Sequence, residues 1–194
     1  SIGAPLLLPG RSCLFSPRRP VDSIWPGEGV GLGSDPETLK VAQNTVTYGD
    51  AYAQNNAFPE AFPAAVRVGI NASLVLDQLA MLVRLQMPAN GFLVEAGGGY
   101  ETAGTSIAVN EMLLQSWEGF LRFFPVYPDG EPAAFESLRA VGAFLVWSRR
   151  EADGRVVGTK VVSEAGRNCT VLPPLGTTMK VVGAAGAAVP TQRV

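Results

Sequence analysis

Residues 97–116 read GGGYETAGTSIAVNEMLLQS. Three glycines lead into Tyr100-Glu101, and the small-residue run Thr102-Ala103-Gly104 follows. This opening predicts a flexible turn, with a helix starting at Thr105 or Ser106, whose hydroxyl can accept from a first-turn N–H. From Ile107 to Leu114 only Asn110 and Glu111 interrupt the apolar residues. A helix apolar nearly all round belongs inside a fold, not on a wet surface. The stretch therefore sets a carboxylate, Glu101, on a permissive glycine turn ahead of a rigid buried helix. The same pattern also describes an ordinary Gly-rich loop before a core helix.

Upstream the pattern is helical and broken by long loops. Ser34-Asp35-Pro36-Glu37 reads as a capping box, Ser34 at the cap and Glu37 three on, for a helix to Thr45. Tyr48 to Pro59 is a polar-aromatic loop that holds Gln54, Asn55 and Asn56. Amides of this kind bond sugar hydroxyls, and equally satisfy a loop's own backbone. Pro63 to Val68 predicts a short helix with proline in its first turn. Asn71 caps a longer one from Ala72 to Gln86, with Leu74, Leu76, Leu79, Leu82 and Val83 as its apolar stripe, ended by Pro88.

Downstream of Ser116 the period changes to that of strands. Phe120 to Phe124, Ala143 to Arg149 and Arg155 to Ser163 read as strands, the last two joined by a hairpin loop at Glu151-Ala152-Asp153-Gly154. Asn168 to Leu172 and a last strand from Thr177 to Val182 complete a small antiparallel sandwich. The expected fold is thus α+β. Its parts are an irregular, Pro- and Gly-rich lead over 1–33, a helical part over 34–118, a β domain over 119–182 and a small-residue tail over 183–194.

Composition narrows the function. The chain has 194 residues, 47% hydrophobic and 16% charged, with a formal net charge of −2. There is no basic excess, which argues against a nucleic-acid partner. So few charges suit a piece of a larger body, where about 25% is usual for a free-standing protein. No apolar run reaches the roughly 18 residues that a membrane span requires. Histidine is absent, so a His-based triad, a His-ligated zinc and a histidine acid-base are excluded within the chain. Nothing in the sequence asks for a metal or an organic cofactor. The two cysteines, Cys13 and Cys169, form one disulfide between the ends or stand as separate small hydrophobes. Sequons at Asn71-Ala72-Ser73 and Asn168-Cys169-Thr170 mark Asn71 and Asn168 as glycosylation acceptors and agree with a secretory, extracellular or cell-surface location.

The run Tyr100-Glu101…Asn110-Glu111-Met112-Leu113-Leu114-Gln115-Ser116 resembles the end of the catalytic barrel in glycoside hydrolase family 95, the inverting alpha-L-fucosidases and related galactosidases. Gln54-Asn55-Asn56-Ala57-Phe58-Pro59, Ala64 to Gly69, Leu121 to Pro125 and Leu138 to Phe144 extend the likeness over residues 20–172. The resemblance implies that the helices belong to an (α/α)6 barrel followed by its β domain. It also makes Glu101 the counterpart of the family's catalytic base, with Gln54, Asn55 and Asn56 as sugar-binding amides. Glutamate stands here where the family has aspartate, and the interval to Glu111 is shorter. Nothing in the chain matches the family's general acid, and four helical segments do not close a barrel. The expected partners are therefore a polypeptide that completes the barrel and a glycan substrate.

Two functions compete on this reading. One is the C-terminal portion of a fucosidase-like hydrolase, inactive alone. The other is a non-catalytic structural or glycan-binding glycoprotein in an extracellular assembly. An unrelated enzyme built on Asp50, Glu60 or Asp77 has no motif behind it.

Overall fold

A computed structural model describes residues 21–49, 57–91, 99–174, 179–183 and 190, with the backbone alone at 57 and 99–103. Among the described residues the architecture is α+β: four α-helices come first, then two small sheets.

Helix α1 (Pro36–Tyr48) is capped by Asp35, whose Oδ1 accepts from the N–H groups of Glu37 at 3.1 Å and Thr38 at 3.0 Å. The cap is thus one residue later than the Ser34 of the expected box, and the helix runs on to Tyr48. Pro36 follows the cap directly, and a ring without an N–H is tolerated at that position. Ser34 instead tightens the preceding turn, its Oγ accepting from Gly31 N–H at 3.0 Å.

A π-helical turn, Ala57–Ala61, feeds α2 (Phe62–Arg67). Every residue of α2 is buried, and the helix touches α1, α3 and α4. The small Ala64 and Ala65 let those neighbours close in. Gly69, at φ 77°, turns the chain out of α2, a left-handed conformation that glycine adopts without strain. Helix α3 (Ala72–Gln86) then starts on Asn71, whose Oδ1 accepts from Leu74 N–H at 3.0 Å, and stops at Met87 before Pro88. Its bounds are those the sequence predicts. Its buried face is largely so: Leu79 and Leu82 are buried and Leu76 and Val83 pack against the core, but Ala72 and Val75 also point inward, while Leu74 is 45% exposed.

Helix α4 spans Gly99–Leu113. It begins six residues before Thr105, so the expected turn around Glu101 is already helical. Gly104 explains how this start is accommodated. A side chain there would collide with the backbone of Phe58 and Pro59, so a bare Cα lets the π-helical turn lie against α4. Nor is α4 buried all round. Ala108 and Met112 are fully buried, Ile107, Val109 and Leu113 half-buried, and Ser106 and Asn110 form an outward line. Residues three and four apart share a helix face, which is why one polar line suffices.

Helix α4 runs directly into β1 (Leu114–Gln115). This strand pairs antiparallel with β2 (Leu121–Phe123), and β2 pairs parallel with β6 (Val171–Leu172). The second sheet is an antiparallel meander of β3 (Ala133–Ala140), β4 (Phe144–Arg150) and β5 (Val156–Ser163). Strand β3 has no counterpart in the strand pattern read above. A break of register between Phe135 and Leu138, with Ser137 at φ 57°, disrupts its alternation. The tight β3–β4 turn uses Gly142 at φ 96° and Ala143 at φ 62°. The strand expected over Thr177–Val182 does not form among its described residues. Met179 to Val181 are irregular, and Val182 makes one isolated bridge. That stretch has Lys180 between apolar residues that remain exposed, so it gains little burial to offset the entropy of ordering it.

Two apolar clusters result. The helical one gathers α1 to α4 with Val21 and Ile24 of the lead. The other joins both sheets through Leu114, Leu121, Phe123, Phe135, Phe144 and Val146. Tyr127 packs against both. Among the described residues, no helix is long and apolar enough to cross a membrane.

Candidate functional site

The residues expected to carry chemistry are placed unequally. The backbone of Glu101 lies in the first turn of α4; its side chain falls outside what is described. Gln54, Asn55, Asn56 and Cys13 also lie outside the described residues. The stretch just after Asn56 does meet the stretch just after Glu101, through the Pro59–Gly104 contact. Asn71 is exposed and spends its Oδ1 on the α3 cap. Asn168 and Cys169 are exposed in the loop before β6, and Cys169 carries a free thiol.

A different constellation is fully built. Arg67, the last residue of α2, is 4% exposed. Its Nε donates to Glu111 Oε2 at 3.1 Å, and its Nη2 makes a second, longer bond of 3.4 Å to Oε1. One terminal nitrogen also donates to the carbonyls of Gly27 at 3.0 Å and Ile24 at 3.3 Å. The guanidinium lies between two indoles, 4.3 Å from the ring centre of Trp25 and 4.7 Å from that of Trp117. Planarity makes this possible: an arginine can fork onto a carboxylate in its plane while its faces meet aromatic rings. A lysine could not do both. Gly31 completes the packing, since any side chain there would overlap the Trp117 ring.

Beside this pair is a half-open cavity of about 300 Å³. Glu28, Asn110, Glu111 and Arg139 give it charge and hydrogen-bonding groups, and Trp117, Leu138 and Val141 give it apolar wall. Burial pushes the Glu111 carboxyl above the ordinary glutamate range, against the opposing pull of Arg67, and nearby Glu28 pushes the same way. Desolvation outweighs the ion pair here. Arg139 is paired on its other side with Glu164 at 2.5 Å. Each arginine at the cavity thus already has a carboxylate partner. The arrangement suits binding through leftover lone pairs better than proton donation, because Glu111 is held by two N–H groups.

Among the described residues, no group of three or more His, Cys, Asp or Glu is placed to hold a metal ion. Among the described residues, the buried side-chain atoms without a hydrogen-bond partner also fall together: both amide atoms of Gln115, Nε1 of Trp117 and Nε of Arg122. Gln115 and Arg122 are cross-strand partners in β1 and β2, and Trp117 lies in the turn between those strands. Buried polar groups are rarely left unpaired.

Sequence reasoning passed over Arg67 and Glu111 as members of apolar runs. The available signal was that each is the lone charge in its run and that the two are opposite in sign. Comparison with known proteins finds no family model that matches the chain, and no curated protein that matches it.

Proposed function

We propose that the chain is the C-terminal portion of a fucosidase-like glycoside hydrolase that inverts configuration at fucosyl or galactosyl linkages, completed by further polypeptide. The resemblance of the Tyr100–Ser116 run and its flanks to that family motivates the reading. The observation that carries it is the contact of Pro59 with Gly104. It ties the turn that follows the amides Gln54–Asn56 to the helical turn that follows Glu101. In this reading Glu101 is the general base and the amides bond sugar hydroxyls. The general acid comes from the completing polypeptide, set about 6.5–9.5 Å from the base so that a water fits between base and sugar.

Hydrolysis of an aryl fucoside tests it. The chain alone is expected to be inactive, since a positioned acid is worth about a hundred- to ten-thousand-fold. The completed assembly is expected to turn over, and Glu101→Gln to abolish turnover. Full activity of the completed Glu101→Gln assembly would sink the assignment. The helical backbone at Glu101, in place of a glycine turn, favours a second reading: a glycan-binding component of an extracellular assembly that no longer catalyses. Retention of the glycan without any hydrolysis by the completed assembly would select it.

A further inference from the structure

We propose that the cavity where α4 meets the β3–β4 turn binds one neutral saccharide unit, at a site separate from Glu101. Glu111 lies ten positions after Glu101 on the same helix, which at about 1.5 Å per residue places the two some 15 Å apart along its axis. A failure at one site therefore says nothing about the other.

Size, charge and wall chemistry point the same way. A volume of about 300 Å³ lies at the small end of ligand pockets and seats a single ring rather than a long chain. The wall carries two carboxylates, Glu28 and Glu111, and two guanidinium groups, Arg67 and Arg139. Arg67 is committed to Glu111 and Arg139 to Glu164. An anionic ligand has to break one of these pairs, whereas a neutral one leaves both in place. Carboxylates and an amide still offer free acceptor sites and two amide donors to hydroxyl groups. The opposite need, a surface for C–H groups, is met by Trp117, Leu138 and Val141, the last 63% exposed. Pyranose rings present both kinds of surface. Rigidity supports the assignment too: Arg67, fixed by a carboxylate, two carbonyls and two indoles, holds Glu111 and Trp117 in place before any ligand arrives.

Titration of the purified chain with methyl α-L-fucoside, methyl β-D-galactoside and methyl β-D-glucoside, followed in nitrogen-edited NMR spectra, tests the proposal. The indole N–H of Trp117 and the side-chain amide of Asn110 are expected to shift saturably for at least one of them. The dissociation constant should be on the order of 1 mM, as befits so small a ligand. The indole of Trp147 on β4 should stay still and report that the fold is intact. The exposed positions Asn110→Ala and Glu28→Gln should each weaken binding roughly tenfold, the loss of one or two hydrogen bonds. Glu101→Gln should leave it unchanged. A methyl glucuronide should bind more weakly than its neutral counterpart. No saturable shift up to about 50 mM, well above that range, would overturn the proposal. So would binding that survives the double Asn110→Ala, Glu28→Gln change, or that vanishes with Glu101→Gln.

Discussion

Both halves of the molecule have an apolar cluster, but they differ in the buried charge that each adds to it. To its apolar cluster the helical half adds a buried ion pair, with lead segment, α2, α4 and Trp117 all meeting at Arg67. The β half closes on an apolar cluster drawn from both sheets. An apolar core tolerates exchange so long as volume is kept. A buried ion pair does not, because removing one partner strands a charge without solvent. The helical half is therefore the more specific of the two and the more easily broken by a single change.

Arg67→Ala is the hardest test of that contrast. It leaves Glu111 unpaired and opens a void between two indoles, at a cost of about 3–5 kcal/mol. Amide exchange should show protection lost in α2 and α4 but kept in β3 to β5. Equal loss in the meander would mean that the halves unfold as one, and the contrast would fail.

Leu121→Ala, at a position 2% exposed on β2, probes the other side. Truncating a buried leucine costs about 2–5 kcal/mol. Leu121→Met should recover most of it, as volume-conserving swaps usually cost less than about 1.5 kcal/mol. Arg67→Lys, by comparison, should recover little, since a lysine cannot fork and stack together. Urea midpoints of the four variants decide the matter. Similar rescue at both sites would show that the helical half is no more specific than the sheets.

How far the sequence predicted these halves depends on how local each device is. The bounds of helix α3 were legible because Asn71 and Pro88 mark its ends within the run itself. Helix α4 was misread at its start, since glycine costs about 1 kcal/mol in a helix and a Gly-rich lead reads as a turn. What overrides that cost is the close approach of Pro59 to Gly104, a contact across more than forty positions. The Arg67 site was illegible for the same reason. Its partners lie 40, 43 and 44 residues away, and no periodicity reports on such distances. In the β half, β4 alternates cleanly enough to be read and the loop at Glu151–Gly154 marks the start of β5, but the irregularity at Ser137 hid β3. Of the expected site, the sequence supplied Glu101 and the amides by resemblance, and the cavity beside Glu111 not at all.

Asn71→Ala gives a smaller effect, about 1 kcal/mol for a lost helix cap, and sharpens the comparison by lowering α3 without touching Arg67. A thermal shift confined to helical signals is the expected result. Smallest is the pH response of Glu111. Burial raises its carboxyl above the ordinary range, so folding takes up a proton there. Its contribution to stability is full below the ordinary glutamate value and fades as pH rises through the raised one. Asp35 behaves oppositely: hydrogen bonds from Thr38 and Glu37 hold it low, so its contribution fades as pH falls through that lowered value. Stability curves of Glu111→Gln should lose the first slope and keep the second.

The parallel pairing of β2 with β6 bears on how the protein is made. Strand β2 gains its second neighbour only when residues 171 and 172 have left the ribosome. Those residues follow by about fifty positions, roughly 3–10 s of synthesis at about 5–20 residues per second. The meander of β3 to β5, built from sequence-adjacent strands, can form within that interval on the scale of microseconds. For those seconds β2 presents unpaired backbone groups along one side, an invitation to any other extended chain. That side of β2 is covered when Val171 and Leu172 take their places.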